Sequence, residues 1–312
     1  MVPANVSDDG KHNTFTLVKQ LYCSSDRPGE IHGQLTFISA LNAFLSITTF
    51  LGNALILAAL RKESSLHPPS KLLLRNLATT DLCVGLIAEP LYIILLVSVV
   101  NKHWNICRYV AIAFSATGYI LSGVSLWTLT AKSVDKLLAL LLGLRYKQVV
   151  SLKRVYLIII TFWAATTVVS TIRFFWDSPI ISWYDIFAIS LCLVISTFSY
   201  TKIFFTLRVH QNQVQDIVQQ PNQTNQLNIA RYRKAVCTAL WLQFTLVACY
   251  LPLIISLNLL LHAEPSSSFS IGFSYAVTLV LLNSSLNPIL YCWKVEEVRQ
   301  AVNSTIRLVF CC

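Results

Sequence analysis

The sequence predicts an all-α membrane protein, a seven-transmembrane helix bundle followed by a short amphipathic helix on the membrane surface. Three observations carry this. Apolar runs, most near or above the roughly 20 residues that cross a bilayer, cover Leu35–Leu60, Leu72–Val99, Tyr109–Val134, Val155–Thr171, Trp183–Leu207, Ala235–Leu261 and Phe269–Trp293. Only 12% of the 312 residues are charged and 55% are hydrophobic, whereas a soluble domain carries about 25% charged residues. Lys and Arg gather in alternate connections: Arg61, Lys62 and Lys71, then Lys136, Arg145, Lys147, Lys153 and Arg154, then Arg208, Arg231, Arg233 and Lys234. That bias predicts a multi-pass plasma-membrane protein with its N-terminus outside and its C-terminus in the cytoplasm. It also accounts for the net charge of +10, so no nucleic-acid partner is expected.

Residues 1–34 form a polar outer tail with no basic and apolar leader pattern. Its Asn5-Val6-Ser7 is an acceptor sequence for glycosylation. Residues 35–292 make the helical domain. The first span carries Gly52-Asn53; the second carries Asp81 at mid-membrane, where a carboxyl is costly unless paired, hydrated or protonated. Two turns on, Glu89 precedes Pro90, and is either a ligand contact or a solvated, snorkelling side chain. The third span is rich in small residues (Ser115, Ser122, Gly123, Ser125), which let helices approach closely, and ends at Asp135-Lys136-Leu137. Lys132, one turn deeper, is expected to snorkel to the same polar layer.

Trp163 in the fourth span reads as a packing aromatic, and the fifth has no internal proline. The Gln- and Asn-rich stretch 209–230 reads as a flexible connector. Pro252 kinks the sixth span and Pro288 the seventh, where it frees a backbone carbonyl for side chains to use. The seventh is the most polar, with Asn283, Ser284, Ser285 and Asn287 inside an apolar run, so these residues should face other helices. Residues 293–312 comprise the amphipathic helix, resting on the inner membrane lipid, and Cys311 and Cys312, whose acylation would pin it there.

Taken together, Gly52-Asn53, Leu77 with Asp81, Trp104 and Cys107, Ser125, Asp135, Trp163, Tyr200, Pro252 and Asn287-Pro288-Ile289-Leu290-Tyr291 resemble the rhodopsin-like (class A) G-protein-coupled receptors, in order and on the matching helices, over residues 35–303. The resemblance implies a receptor that passes an extracellular signal to a heterotrimeric G protein. It implies a sodium site at Asp81, Ser125, Asn283 and Asn287, with no other cofactor. It implies an activation switch at Asp135, Lys136, Tyr200, Tyr250, Pro252, Pro288 and Tyr291, and an outer ligand cavity walled by Glu89, Tyr92, Tyr119, Ser122, Phe187, Asn258 and Tyr275. So apolar a wall suits a small molecule, a lipid or a short peptide. Gly118 stands where amine receptors keep an acid, which argues against a biogenic amine.

The sequence departs from that family in several places. Asp-Lys-Leu replaces Asp-Arg-Tyr, and lysine lacks arginine's planar fork. Tyr232 replaces an acid on the sixth span, so an ionic latch to the third is not expected. The second outer loop has no cysteine for Cys107, which leaves a Cys23–Cys107 bridge or two free thiols, with free thiols the expectation. The short outer loop, the proline-free fifth span and the missing loop disulfide point to the melanocortin, cannabinoid and adenosine-like branch.

Other functional classes fare worse. No nucleophile, base and orienter set and no metal spacing suggests an enzyme. A transporter would more often show paired broken helices and internal repeats. The alternative is a receptor-like protein with weak or no G-protein coupling, acting as a binder or as partner of another receptor.

Overall fold

The computed structural model describes residues 22–23, 30–62, 67–175, 179–217, 223–262, 267–294 and 302. Asn5, Cys311 and Cys312 lie outside the described residues, as does the surface helix expected after Lys294 apart from Val302; so do the side chains of Tyr232 and Tyr291. The described chain is helical throughout, and seven helices are long and apolar enough to cross a membrane. They are α1 (Glu30–Lys62), α2 (Pro68–Val100), α3 (Trp104–Leu142), α4 (Leu152–Phe175), α5 (Pro179–Ile217), α6 (Gln223–His262) and α7 (Ser267–Lys294). A short helix, Tyr146–Val149, lies between α3 and α4.

The helices close into a ring in which α1 packs on α2 and α7, α7 on α6, and α6 on α5, while α3 runs inside against α2, α4 and α5. Large apolar side chains cover the outside. On α1 alone Phe37, Phe44, Ile47 and Leu51 are exposed at helical spacing, as expected for a face that meets lipid. The polar residues go inward instead: Asn42, Asn53, Asp81, Ser125, Ser284 and Asn287 are all buried. With no water at this depth, each must find its partners on another helix.

Three close approaches set the geometry. A Cβ on Gly52 would lie 3.0 Å from the Pro288 ring, so this glycine lets α1 sit against the bend in α7. The bend exposes the Ser284 carbonyl, which has lost its amide donor at Pro288, and Asn53 Nδ2 donates to it at 3.2 Å. The freed carbonyl expected from the sequence is thus put to use. On α2, a Cβ at Gly85 would come within 2.9 Å of the Phe50 backbone nitrogen on α1.

Residues Val84–Ala88 of α2 form a π-helical turn in which the Glu89 N–H reaches the Val84 carbonyl. Pro90 has no N–H to give the preceding turn, so the wider turn is a local answer to the proline. One extra residue in a turn rotates everything beyond it by roughly 100°. That rotation moves Glu89 and Tyr92 away from where the sequence placed them.

Candidate functional site: an apolar cavity above a polar core

A cavity of about 240 Å³ opens among α3, α4, α5, α6 and α7, and Tyr22 of the tail contributes to its wall. Leu126, Val169, Leu253, Val277 and Leu281 give it an apolar lining. At one end Tyr119 donates its hydroxyl to Asp185 Oδ1 at 2.9 Å, Arg173 forms an ion pair with the same carboxylate, and the guanidinium lies 4.7 Å from the Tyr119 ring centre. The pair is closed on itself, so its charges cancel within the wall.

Tyr22 is held where it is by a bond the sequence reading did not favour. Cys23 and Cys107 are joined in a disulfide, with Cα atoms 6.0 Å apart. Cys107 sits in the first turn of α3 and Cys23 lies against it, so the expectation of two free thiols is corrected. Tyr22 itself is buried edge-on against Tyr92 and Phe273.

Of the residues expected to wall the cavity, Tyr119 and Ser122 do so. Glu89 is wholly buried between helices, accepting a hydrogen bond from Thr49 at 3.2 Å, so it is neither solvated nor a ligand contact. Tyr92 donates to the Ser274 carbonyl at 3.0 Å and stacks behind Phe114. Phe187 is 64% exposed on the outer face of α5, and Tyr275 is partly exposed on α7. Asn258 donates to the Ile254 carbonyl one turn back and does not line the cavity. Sequence reasoning missed Asp185, Arg173 and Tyr22. An acid inside the fifth apolar run was signal enough for the first, by the rule that singled out Asp81.

Beneath the cavity lies the polar core. Asp81 Oδ1 accepts from Ser125 at 3.0 Å and from Ser284 at 2.9 Å, and Oδ2 accepts from Asn287 at 2.7 Å. Three helices therefore meet at one carboxylate. Ser284, not Asn283, completes the set, and its place three residues before Asn287 put it on the same face of α7. Asn283 has a buried Nδ2 with no partner. Would these residues suit a sodium ion? One carboxylate, two hydroxyls and an amide are hard oxygen donors, and a single acid balances a single positive charge, so the group fits a monovalent hard cation. Among the described residues no cluster of three or more His, Cys, Asp or Glu offers a site for a metal.

Between this core and the opposite end, Trp163 donates to Asn76 at 3.1 Å and Asn76 to Thr128 at 2.9 Å, tying α4, α2 and α3 together. Trp163 is thus more than a packing aromatic. At that end Asp135 accepts from Tyr146 and from Ser70. Tyr200 and Tyr250 are buried, and Pro252 and Pro288 lie inside their helices.

Seven helices of membrane-crossing length, a cavity beneath one end and a buried polar core below it make an arrangement suited to relaying binding across a bilayer. The comparisons agree. A family model described as 7 transmembrane receptor (rhodopsin family) matches residues 52–182. Human melanocortin receptor 5 is 26% identical over 280 residues, covering 86% of this chain and 82% of that protein. Mouse melanocortin receptor 5 is 24% identical over 323 residues (99% and 92%), and zebrafish melanocortin receptor 4 is 23% identical over 289 residues (89% and 85%). Over residues 52–182 the chain is similar to the rhodopsin-like seven-transmembrane receptors, and over most of its length to the melanocortin receptors. These likenesses and the seven apolar helices support a multi-pass membrane receptor for an extracellular ligand.

Proposed function

We propose that a neutral, largely apolar small molecule or lipid enters the cavity beside Tyr22 and shifts the bundle toward a state that activates a heterotrimeric G protein. One observation carries the ligand class: Arg173 and Asp185 neutralise each other at the cavity end, leaving apolar walls and the hydroxyls of Tyr119 and Ser122. Such a wall favours apolar surface with one hydrogen-bonding end. An orientation with this end outside is supported by the disulfide, since such bonds persist in oxidising compartments, and by the basic connections at the other end. The tail and cavity then face outside, and Lys136 and Tyr146 face the cytoplasm.

Sodium at Asp81, Ser125, Ser284 and Asn287 would supply a counter-charge that holds α2, α3 and α7 together. Asp135, Lys136, Tyr200, Tyr250, Pro252, Pro288 and Tyr291 would form the relay to the cytoplasmic end. Glycosylation at Asn5, acylation at Cys311 and Cys312, and the division into tail (1–34), helical domain (35–292) and inner helix (293–312) belong to the same proposal. The non-coupling alternative is not favoured.

The test is a panel of Gα reporters in cells, with wild type and Lys136→Arg read first without ligand and then against a library of neutral small molecules and lipids. Gly118→Trp fills the cavity and is expected to abolish the agonist response at unchanged surface expression. An undiminished response would place the ligand elsewhere.

A further inference from the structure

The cavity of about 240 Å³ has a mouth on the side of the bundle. Of its described lining residues, the exposed ones are Ala165 and Phe174 on α4 and Tyr184 on α5, with Phe174 at 52% and Tyr184 at 42%. On the opposite wall Tyr250, Val280 and Leu281 are buried, and so is Tyr22. The opening therefore lies between α4 and α5, and the packing explains it. Among the described residues both helices rest on α3, and neither packs extensively on the other. Gly123 draws α4 inward, since a Cβ there would lie 2.8 Å from Thr166 Cγ2, and Trp163 ties α4 to α2 through Asn76.

The Arg173–Asp185 pair spans this slot at one end. From there the α4 side runs from Phe174 to Ala165, about 13 Å along the helix. Ala188 lines the α5 side, so alanine on both helices leaves the gap open. What surrounds the mouth is apolar: Val168 and Ile172 on α4 and Phe187 on α5 are all exposed. Both helices are of membrane-crossing length and composition, so the mouth meets acyl chains and not water.

We propose that the ligand reaches the cavity from the bilayer, through this slot between α4 and α5, and is a neutral amphiphile with a single apolar chain. The chain passes between Ala165 and Ala188, and the polar end meets the hydroxyls of Tyr119 and Ser122. This route rests on the apolar-ligand reading above, so cavity binding and route of entry are measured separately. The full chain in phosphatidylcholine nanodiscs is mixed with vesicles carrying a monoacylglycerol that bears a diazirine on its chain. Flashes of ultraviolet light at successive times fix this lipid in place, and labelled peptides are mapped by mass spectrometry. Labelling at Phe44 and Leu51, on the outer face of α1, marks arrival in the bilayer. Labelling at Leu126 and Leu281 marks entry into the cavity.

In wild type the cavity should label after the α1 face. Ala165→Trp and Ala188→Trp, two variants so that one misfolding does not decide the matter, should lengthen that lag about tenfold while leaving the final cavity labelling unchanged. Val168→Trp, exposed on the same helix but outside the slot, should leave the lag as it is. An unchanged lag in both alanine variants, with the cavity labelled, would overturn the route and leave the apolar-ligand reading standing. Final labelling lost at an unchanged lag would overturn the route too, because the two alanines would then only wall the cavity. A cavity that never labels while α1 does would overturn both.

Discussion

Tyr146 donates its hydroxyl to Asp135 Oδ1 at 2.6 Å, and Ser70 donates to Oδ2 at 2.7 Å. Both oxygens of the acid beside Lys136 are therefore held by α2 and by the short helix after α3. Lys136 instead lies 6.0 Å from the Tyr200 ring centre. Burial, and after it the bond to Asp135, push the Tyr146 phenol up to about 12. An acid whose folded value is raised stabilises the fold fully below its ordinary value of about 10, and that contribution is lost as pH climbs through about 12. The contact is thus intact throughout the physiological range. Tyr146→Phe should cost about 1–2 kcal/mol, a partly shielded bond to a charged group, and raise ligand-free signalling several-fold in the Gα panel. Unchanged basal activity would show that Asp135 is not restrained from this side.

Asp81→Asn replaces an acceptor of three bonds by a group that must turn an amide N–H₂ toward donors. We expect sodium to lose its effect on agonist affinity, measured by ligand binding in sodium against choline chloride. Agonist efficacy should fall by about tenfold, the result of roughly 1.4 kcal/mol less coupling. Retained sodium sensitivity would move the ion away from this carboxylate.

Cys23→Ser or Cys107→Ser opens a loop of sequence separation 84. Constraint of the unfolded chain on that scale is worth about 4 kcal/mol in the entropic account. Melting should drop by about 10 °C, equally in either single variant and in the double, and reductant should do the same to wild type. A double variant worse than each single would mean that the cysteines act separately.

Gly85→Ala would press a methyl against the α1 backbone, which cannot yield as a flexible side chain does. The expected cost is about 1–3 kcal/mol, read as lower surface yield and melting temperature. Gly272→Ala, with nothing within 4 Å of its Cβ, is the control that should be neutral.

The sequence by itself determined the seven spans, their membrane setting and the residues that gather at the core. Long apolar runs and buried polar residues are local signals, and Asp81, Asn53, Ser125 and Asn287 stood out because lipid tolerates no unpaired polar group. Pro288 announced its own freed carbonyl. Which side chain reaches which partner was decided by tertiary structure. The π-turn before Pro90 rotates Glu89 and Tyr92 off the cavity, a one-residue shift that no spacing rule anticipates. Ser284 takes the place assigned to Asn283 because helix rotation, not residue type, selects among neighbours on one face. The Cys23–Cys107 bond depends on Cys23 reaching the first turn of α3, and the cavity's ion pair on α4 and α5 meeting at their ends. Pairs so far apart in the chain become neighbours only when seven helices close into one ring.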